Sequence, residues 1–204
     1  MRDFHCDLID RRALLGGVAA WGAAAQAFAA NATGAVESAT GASTAVARGV
    51  SRALATGAEV FVGDLVNTTE FARLVMKLGA ATRVHMGPSV KLRIDRYLAD
   101  KAGELRFENG PVLVDRPDNQ PHMDLKLRSP FGLVALRGTR VFAGPSNGVF
   151  GVFVQRGAVD LTAGGKTVRI AAGQGADVKV PGGPPSNPTA WGQERIVNAL
   201  ISVS

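Results

Sequence analysis

Side chains able to do chemistry are few in this chain, and their spacing is loose. His85 stands between Val84 and Met86, while His122 follows Pro121 among Asp115, Asp118 and Asp124. A metal centre in an all-β enzyme needs three or four converging ligands, often two histidines two residues apart, and no His-x-His occurs. The aspartates around His122 read either as a loose cation site or as an acidic loop in solvent, and the second is expected. A Ser/His/Asp triad picked from scattered residues would be arbitrary. Glycosidase-type carboxylate pairs depend on a separation in space that spacing along the chain does not give. Gly164-Gly165 and Gly182-Gly183 are not followed by a helix, which leaves a phosphate cradle without support. The single cysteine, Cys6, lies near the N-terminus, so residues from 30 onward offer no thiol nucleophile, disulfide or thiolate ligand. No catalytic residue, metal or cofactor is expected.

The segment that decides where such a chain works is DRRALLGGVAAWGAAAQAFAA, residues Asp10–Ala30. Arg11 and Arg12 stand directly before an apolar run, and the run ends in Ala27-Phe28-Ala29, a small-x-small pattern that a signal peptidase cuts. This layout reads as an export signal of the twin-arginine type, occupying residues 1–29. A retained membrane anchor is the competing reading. It is the weaker one, because the run is mostly Ala and Gly, which gain little from lipid. The expected location is therefore the periplasm, with membrane contact only if the signal stays as an anchor.

The net charge is +6, and the three arginines and three aspartates of the signal cancel. A basic surface suits anionic partners such as an envelope polymer or an acidic protein face. The basic residues are spread along the chain without a run of four, and nucleic acid is not expected outside the cytoplasm.

Residues 30–56 are rich in Ala, Thr, Ser and Gly and read as a flexible lead-in. Beyond them the pattern changes to period two. Leu74, Met76 and Leu78 alternate with Val75 and Lys77; Val90, Leu92 and Ile94 alternate with Lys91 and Arg93. Turn chemistry recurs every eight to twelve residues, at Gly87-Pro88-Ser89, Asn109-Gly110-Pro111, Asn147-Gly148 and Gly164-Gly165. This predicts an all-β domain over 57–181: a compact antiparallel β-sandwich, a small barrel or a short β-solenoid, which periodicity does not separate. Residues 182–204 read as a Pro/Gly linker and a short helix carrying Ile196, Val197, Leu200 and Ile201, expected to cover an open edge.

Several segments in order resemble the FecR domain family. They are Gly63-Asp64-Leu65-Val66-Asn67-Thr68, Gly87-Pro88-Ser89-Val90-Lys91-Leu92, Leu105–Val114, and Ser129-Pro130-Phe131-Gly132 followed by Arg137-Gly138-Thr139-Arg140-Val141-Phe142. Val152–Val159, with Gly157, and Ile170–Gln174, with Gly173, complete the set. The resemblance implies a periplasmic β-domain used in cell-surface signalling. Arg137, Gly138, Thr139, Gly157 and Gly173 are then either fold residues at bends or contacts to a partner. Glycine suits a tight bend, threonine a bond to local backbone, and Arg137 a buried ion pair.

The function expected is thus a non-enzymatic exported FecR-like domain in periplasmic sensing, signalling or protein interaction. Its partner would be a periplasmic or outer-membrane protein. A carbohydrate or cell-envelope binding module is the alternative, and a small all-β hydrolase or isomerase stands behind both.

Overall fold

The computed structural model describes residues 31–98, 101–121 and 123–204. Eighteen strands and one helix are found among them. The strands are β1 Gly34–Thr40, β2 Ser43–Ala47, β3 Val50–Ala53, β4 Glu59–Val60, β5 Leu65–Thr68, β6 Arg73–Leu78, β7 Thr82–Met86, β8 Lys91–Leu98 and β9 Ala102–Phe107. They continue as β10 Val112–Asp115, β11 Asp124–Ser129, β12 Gly132–Leu136, β13 Arg140–Ser146, β14 Val149–Arg156, β15 Ala158–Ala163, β16 Lys166–Ala171, β17 Gln174–Val178 and β18 Thr189–Ala190. Helix α1 spans Gln193–Ile201.

Two nine-stranded sheets result. The first runs β18-β17-β14-β13-β10-β7-β6-β1-β4, the second β16-β15-β12-β11-β9-β8-β5-β2-β3. The chain lays down one or two strands in one sheet, crosses to the other and returns. Strand order in both sheets therefore climbs with chain order, apart from an exchange at the β3/β4 end. β9 and β11 pair in parallel, and β10, which lies between them in the chain, belongs to the opposite sheet. The remaining strand pairs among the described residues are antiparallel. Neither sheet closes into a barrel and no solenoid curl is present, so of the three architectures left open by periodicity the two-sheet arrangement is the one found.

Period two in the sequence becomes inside and outside in the structure. Leu74, Met76 and Leu78 of β6 and Leu92 and Ile94 of β8 are buried at 1% exposure or less, in one cluster that also takes Leu105, Leu125, Val141 and Val152. Each such side chain contributes about 1.5–3 kcal/mol of burial. The hairpin signals hold for a steric reason. Asn147-Gly148 joins β13 to β14 with φ of 51° and 76°, and Gly164-Gly165 joins β15 to β16 with φ of 51° and 75°. Two-residue turns of this hand match the strand twist and need two positive φ angles in succession.

Two expectations are corrected. Residues 34–53, read as part of a flexible lead-in, form β1, β2 and β3. β1 pairs with β4 and β6, and β2 with β5, so the folded unit includes residues from Gly34 and does not begin at 57. Small Ala, Ser and Thr side chains look like linker in a sequence, but here the neighbouring strands supply the missing hydrogen bonds. The C-terminal segment is likewise part of the unit: β18 pairs with β17, and α1 lies on a sheet face and not over an edge. That face carries Leu113, Phe142 and Phe153, whose neighbours along each strand point into the main core. An apolar face of this size must be covered, and Trp191, Ala199 and Val203 cover it.

The seat for α1 is specific. Trp191 stacks on Phe153 at 5.1 Å between ring centroids and meets Phe142 edge-on at 6.4 Å. Gly151 and Gly175 leave room for the indole; a Cβ on Gly151 would lie 2.7 Å from Trp191 Cη2. Arg195 lies over the ring, 3.6 Å from its centroid, and donates to both oxygens of Asp177 at 3.2 and 2.6 Å. The helix is thus held by ring stacking plus a bidentate ion pair.

Candidate functional site

The segment with the strongest motif content is a crossover. Arg137, Gly138 and Thr139 carry the chain from β12 in the second sheet to β13 in the first, Gly157 carries it back from β14 to β15, and Gly173 returns it from β16 to β17. All three glycines have positive φ, +59°, +81° and +80°. The Arg137-Gly138-Thr139 and Gly157 crossovers touch. A Cβ on Gly157 would lie 2.8 Å from Thr139 Cγ2 and 2.9 Å from the Gly138 carbonyl oxygen. Gly173 stands apart, with nothing within 4 Å of such a Cβ.

Thr139 is fully buried, its carbonyl accepts the Arg116 N–H at 3.0 Å, and its hydroxyl has no partner among the described residues. The expected bond from this hydroxyl to local backbone is therefore not made. Arg137 is exposed, and among the described residues it makes no ion pair. The arginine that does go inside is Arg116, only 3% exposed, donating to Thr82 Oγ1 and to the Pro121 carbonyl, each at 3.0 Å. Tyr97 Oη joins that network, 3.1 Å from Thr82 Oγ1 and 2.8 Å from the Leu78 carbonyl oxygen. A second buried charge, Asp64, accepts from both terminal nitrogens of Arg52, at 3.0 and 2.5 Å, and from the Phe61 N–H at 2.8 Å. Neither Arg116 nor Asp64 stands out as buried in the sequence, because their partners come from other strands.

Of the acidic residues, Asp118 and Asp124 are exposed as expected, and Asp115 is not. Asp115 is clamped by Arg140 Nη1 and Arg156 Nη2, each at 2.8 Å, and Asp118 lies 3.3 Å from Arg156 Nε. Register explains the clamp: Arg83, Asp115, Arg140 and Arg156 fall in one row across β7, β10, β13 and β14. Arg83 in turn donates to Glu37 at 2.7 Å, and that hydrogen bond holds the glutamate below the usual carboxylate range. Asp124 opens β11 and is exposed. His122 lies outside the described residues, as do the signal residues Arg11, Arg12, Ala27 and Ala29. Among the described residues no group of three His, Cys, Asp or Glu side chains is placed to hold a metal ion. No helix among them is long and apolar enough to cross a membrane.

A neighbouring row crosses the same face two residues away. Ser38, Val75, His85, Leu113, Phe142 and Phe153 follow one another across β1, β6, β7, β10, β13 and β14. Helix α1 covers the Leu113–Phe153 end. Over the Ser38–Leu113 end a cleft of about 500 Å³ opens, bounded by Arg73, Arg140 and the last residues of the chain. His85 forms part of its floor. Burial pushes the imidazole below its ordinary value, and the Arg140 guanidinium pushes it the same way against the weaker pull of Asp115 and Glu37.

Two open sheets around one core, with a helix capping one outer face, define an all-β scaffold. A similar fold occurs over part of a known bacterial structure. Two crystal structures of a candidate anti-sigma factor from Parabacteroides distasonis ATCC 8503 are similar to this chain, each with a TM-score of 0.54 and 14% sequence identity. The likeness covers 66% of this chain and 63% and 62% of those chains, so it spans less than two thirds of that protein's length. At that identity the likeness is one of fold. No family model matches the chain. No curated protein matches it in sequence.

Proposed function

We propose that this chain is an exported, non-enzymatic FecR-like domain that acts in periplasmic signalling by engaging a protein partner. The observation that carries this reading is the two-sheet fold shared with a candidate anti-sigma factor. The motif glycines add support, since Gly138, Gly157 and Gly173 occupy equivalent positions where the chain changes sheets. Recognition of a polysaccharide is less favoured, because Trp191 and Tyr97, the side chains best suited to stack on sugar rings, are buried at 7% and 6% exposure.

The test is transcriptional. A strain lacking the chain is compared with one complemented by it, and transcripts are profiled. A change confined to a small set of envelope or transport genes, restored by complementation, is the expected result. An unchanged profile, with saturable binding of the purified protein to isolated envelope polysaccharide, would replace the signalling reading with the envelope-binding one.

A further inference from the structure

Helix α1, the one helix among the described residues, lies on the first sheet, and the outer face of the second sheet has no helix over it. Register draws one row across the middle of that face: Leu65, Arg93, Arg106, Arg128 and Leu133 follow one another across β5, β8, β9, β11 and β12. The strand neighbours Leu92, Leu105 and Leu127 are buried in the core, so the three arginines point outward. Their side chains are 53%, 59% and 45% exposed. Leu65 and Leu133, at the two ends of the row, are half-buried.

Like charges side by side on neighbouring strands repel, and the packing of the sheet does not require them. Carboxylates meet the row only in part. Asp95, at the bulge in β8, lies 4.0 Å from Arg93 Nε and 3.1 Å from Arg106 Nε, and Glu104 accepts from Arg128 Nε. All these contacts use the Nε edge. The terminal nitrogens of the three guanidiniums make no hydrogen bond among the described residues. Lys91 and Lys126 stand two positions from Arg93 and Arg128 along their strands, and Glu108 two from Arg106, so the balance around the row stays positive. A cleft of about 360 Å³ opens beside Arg106 and Arg128.

The geometry points to a docking row for an acidic helix of the protein partner, laid across the strands. One carboxylate per turn meets Arg93, Arg106 and Arg128 in succession, and an apolar side chain at either end rests on Leu65 and Leu133. Charge complementarity selects an acidic occupant, and it disfavours a second copy of this chain, whose net charge is +6. Spacing selects a helix. Neighbouring strands lie about 4.8 Å apart, close to the pitch of about 5.4 Å for one helical turn, whereas alternate residues of an extended segment repeat at about 6.8 Å. The leucines at both ends favour a peptide over an acidic polysaccharide, and Trp191 and Tyr97 are buried and cannot stack on sugar rings. The inference rests on the reading that the domain engages a protein, and it names the chemistry of the segment engaged.

The test is an NMR titration of the purified chain with three probes. The first is a capped, alanine-based helical peptide with three glutamates one turn apart and a leucine one turn beyond each end. The second is the same peptide with glutamine for glutamate, and the third is alginate oligomers. Saturable shifts at Arg93, Arg106 and Arg128 with the glutamate peptide are expected at low ionic strength, weakened by added salt and absent with the glutamine peptide. Arg106→Gln should weaken binding about tenfold, the loss expected for one charge-assisted contact, while the melting temperature stays near that of the parent. Arg169→Gln removes the same charge from the edge strand β16 of the same sheet, outside the row, and should leave binding near the parent value. Equal losses in the two variants, equal binding of the glutamine peptide, or no saturable shift with the glutamate peptide would overturn the assignment. Tighter binding of alginate than of the peptide, lost in Arg106→Gln, would give the row to a polymer and overturn it as well. If Arg106→Gln fails to fold, Arg93→Gln takes its place. A failed titration beside a transcript profile that responds to the chain would sink the docking row and leave the signalling reading standing.

Discussion

Gly157 packs against Thr139 so tightly that one added methyl group would stand 2.8 Å from the threonine Cγ2, which joins two successive sheet crossovers into a single packed corner. Gly173 has nearly the same φ but open space around it. Gly173→Ala should therefore cost only backbone strain, about 1–2 kcal/mol. Gly157→Ala adds a collision with backbone and with a buried side chain, and should cost about 3 kcal/mol or more. Denaturant melts of the two variants check the difference; equal losses would show that the corner gives way freely.

At the neighbouring bend, Gly138→Val places a β-branched residue at φ +59°, with its Cβ 3.2 Å from Asp118 Oδ1. A loss on the order of 2 kcal/mol or more is expected. Arg137→Ala should leave the melting temperature within a degree or two of the parent, because the side chain is exposed and makes no ion pair among the described residues. If Arg137→Ala then weakens binding to a protein partner, Arg137 is a contact residue; a large drop in melting temperature would instead give it a structural role.

Helix α1 should depend on one side chain above others. Trp191→Ala removes the ring that stacks on Phe153 and lies under Arg195, and should cost about 3–5 kcal/mol. Gly175→Ala should act on the same seat from the other side, since its Cβ would meet the indole nitrogen and stand 2.8 Å from the Val152 carbonyl oxygen. Both variants should lose near-UV circular dichroism from the tryptophan. A native near-UV spectrum in Gly175→Ala would show that the ring can shift without cost.

His85 predicts a pH dependence of definite sign. Its folded-state pKa lies below the ordinary 6.5, through burial first and then Arg140. The unfolded chain therefore takes up the proton before the folded one does. The stability that His85 contributes is full above about pH 6.5 and is lost as pH falls through the folded-state value. His85→Gln should flatten this slope. An NMR titration giving an imidazole pKa above 6.5 would reverse the sign.

Export is tested at the other end of the chain. Replacing Arg11 and Arg12 by Lys should leave the protein in the cytoplasm at full length, since the twin-arginine route reads both guanidiniums. N-terminal sequencing of exported protein should begin near Ala30. Intact Met1 in a membrane fraction would mark a retained anchor.

Most strands between Val60 and Val178 were legible because one face of each is buried and the other is not, so Leu74, Met76 and Leu78 announce their sheet. The two hairpins at Asn147-Gly148 and Gly164-Gly165 were legible because few residues accept two positive φ angles in a row. β1 to β3 were not, since Ala, Ser and Thr carry little amphipathic signal and their order comes from pairing with β5 and β6. The buried ion pairs were not either. The burial of Arg116 depends on Thr82, thirty-four positions earlier, and Arg137 drew notice through its motif while standing in solvent. The cleft combines five strands and a helix end, and only the register of the sheet brings Ser38, Arg73, His85 and Arg140 to one face.

The back-and-forth threading of the two sheets has a consequence for how such a domain changes length. Since strand order follows chain order almost throughout, a newly gained pair of hairpins would settle on an end of the stack without rethreading anything already there. Loss of a pair would shorten the stack and expose a fresh rim, leaving the interior hydrogen-bond ladders in place. Size is in this sense an adjustable quantity, set by how many rungs the gene encodes and by what seals the final one. Proteins of this construction can then share a run of rungs while differing at their ends.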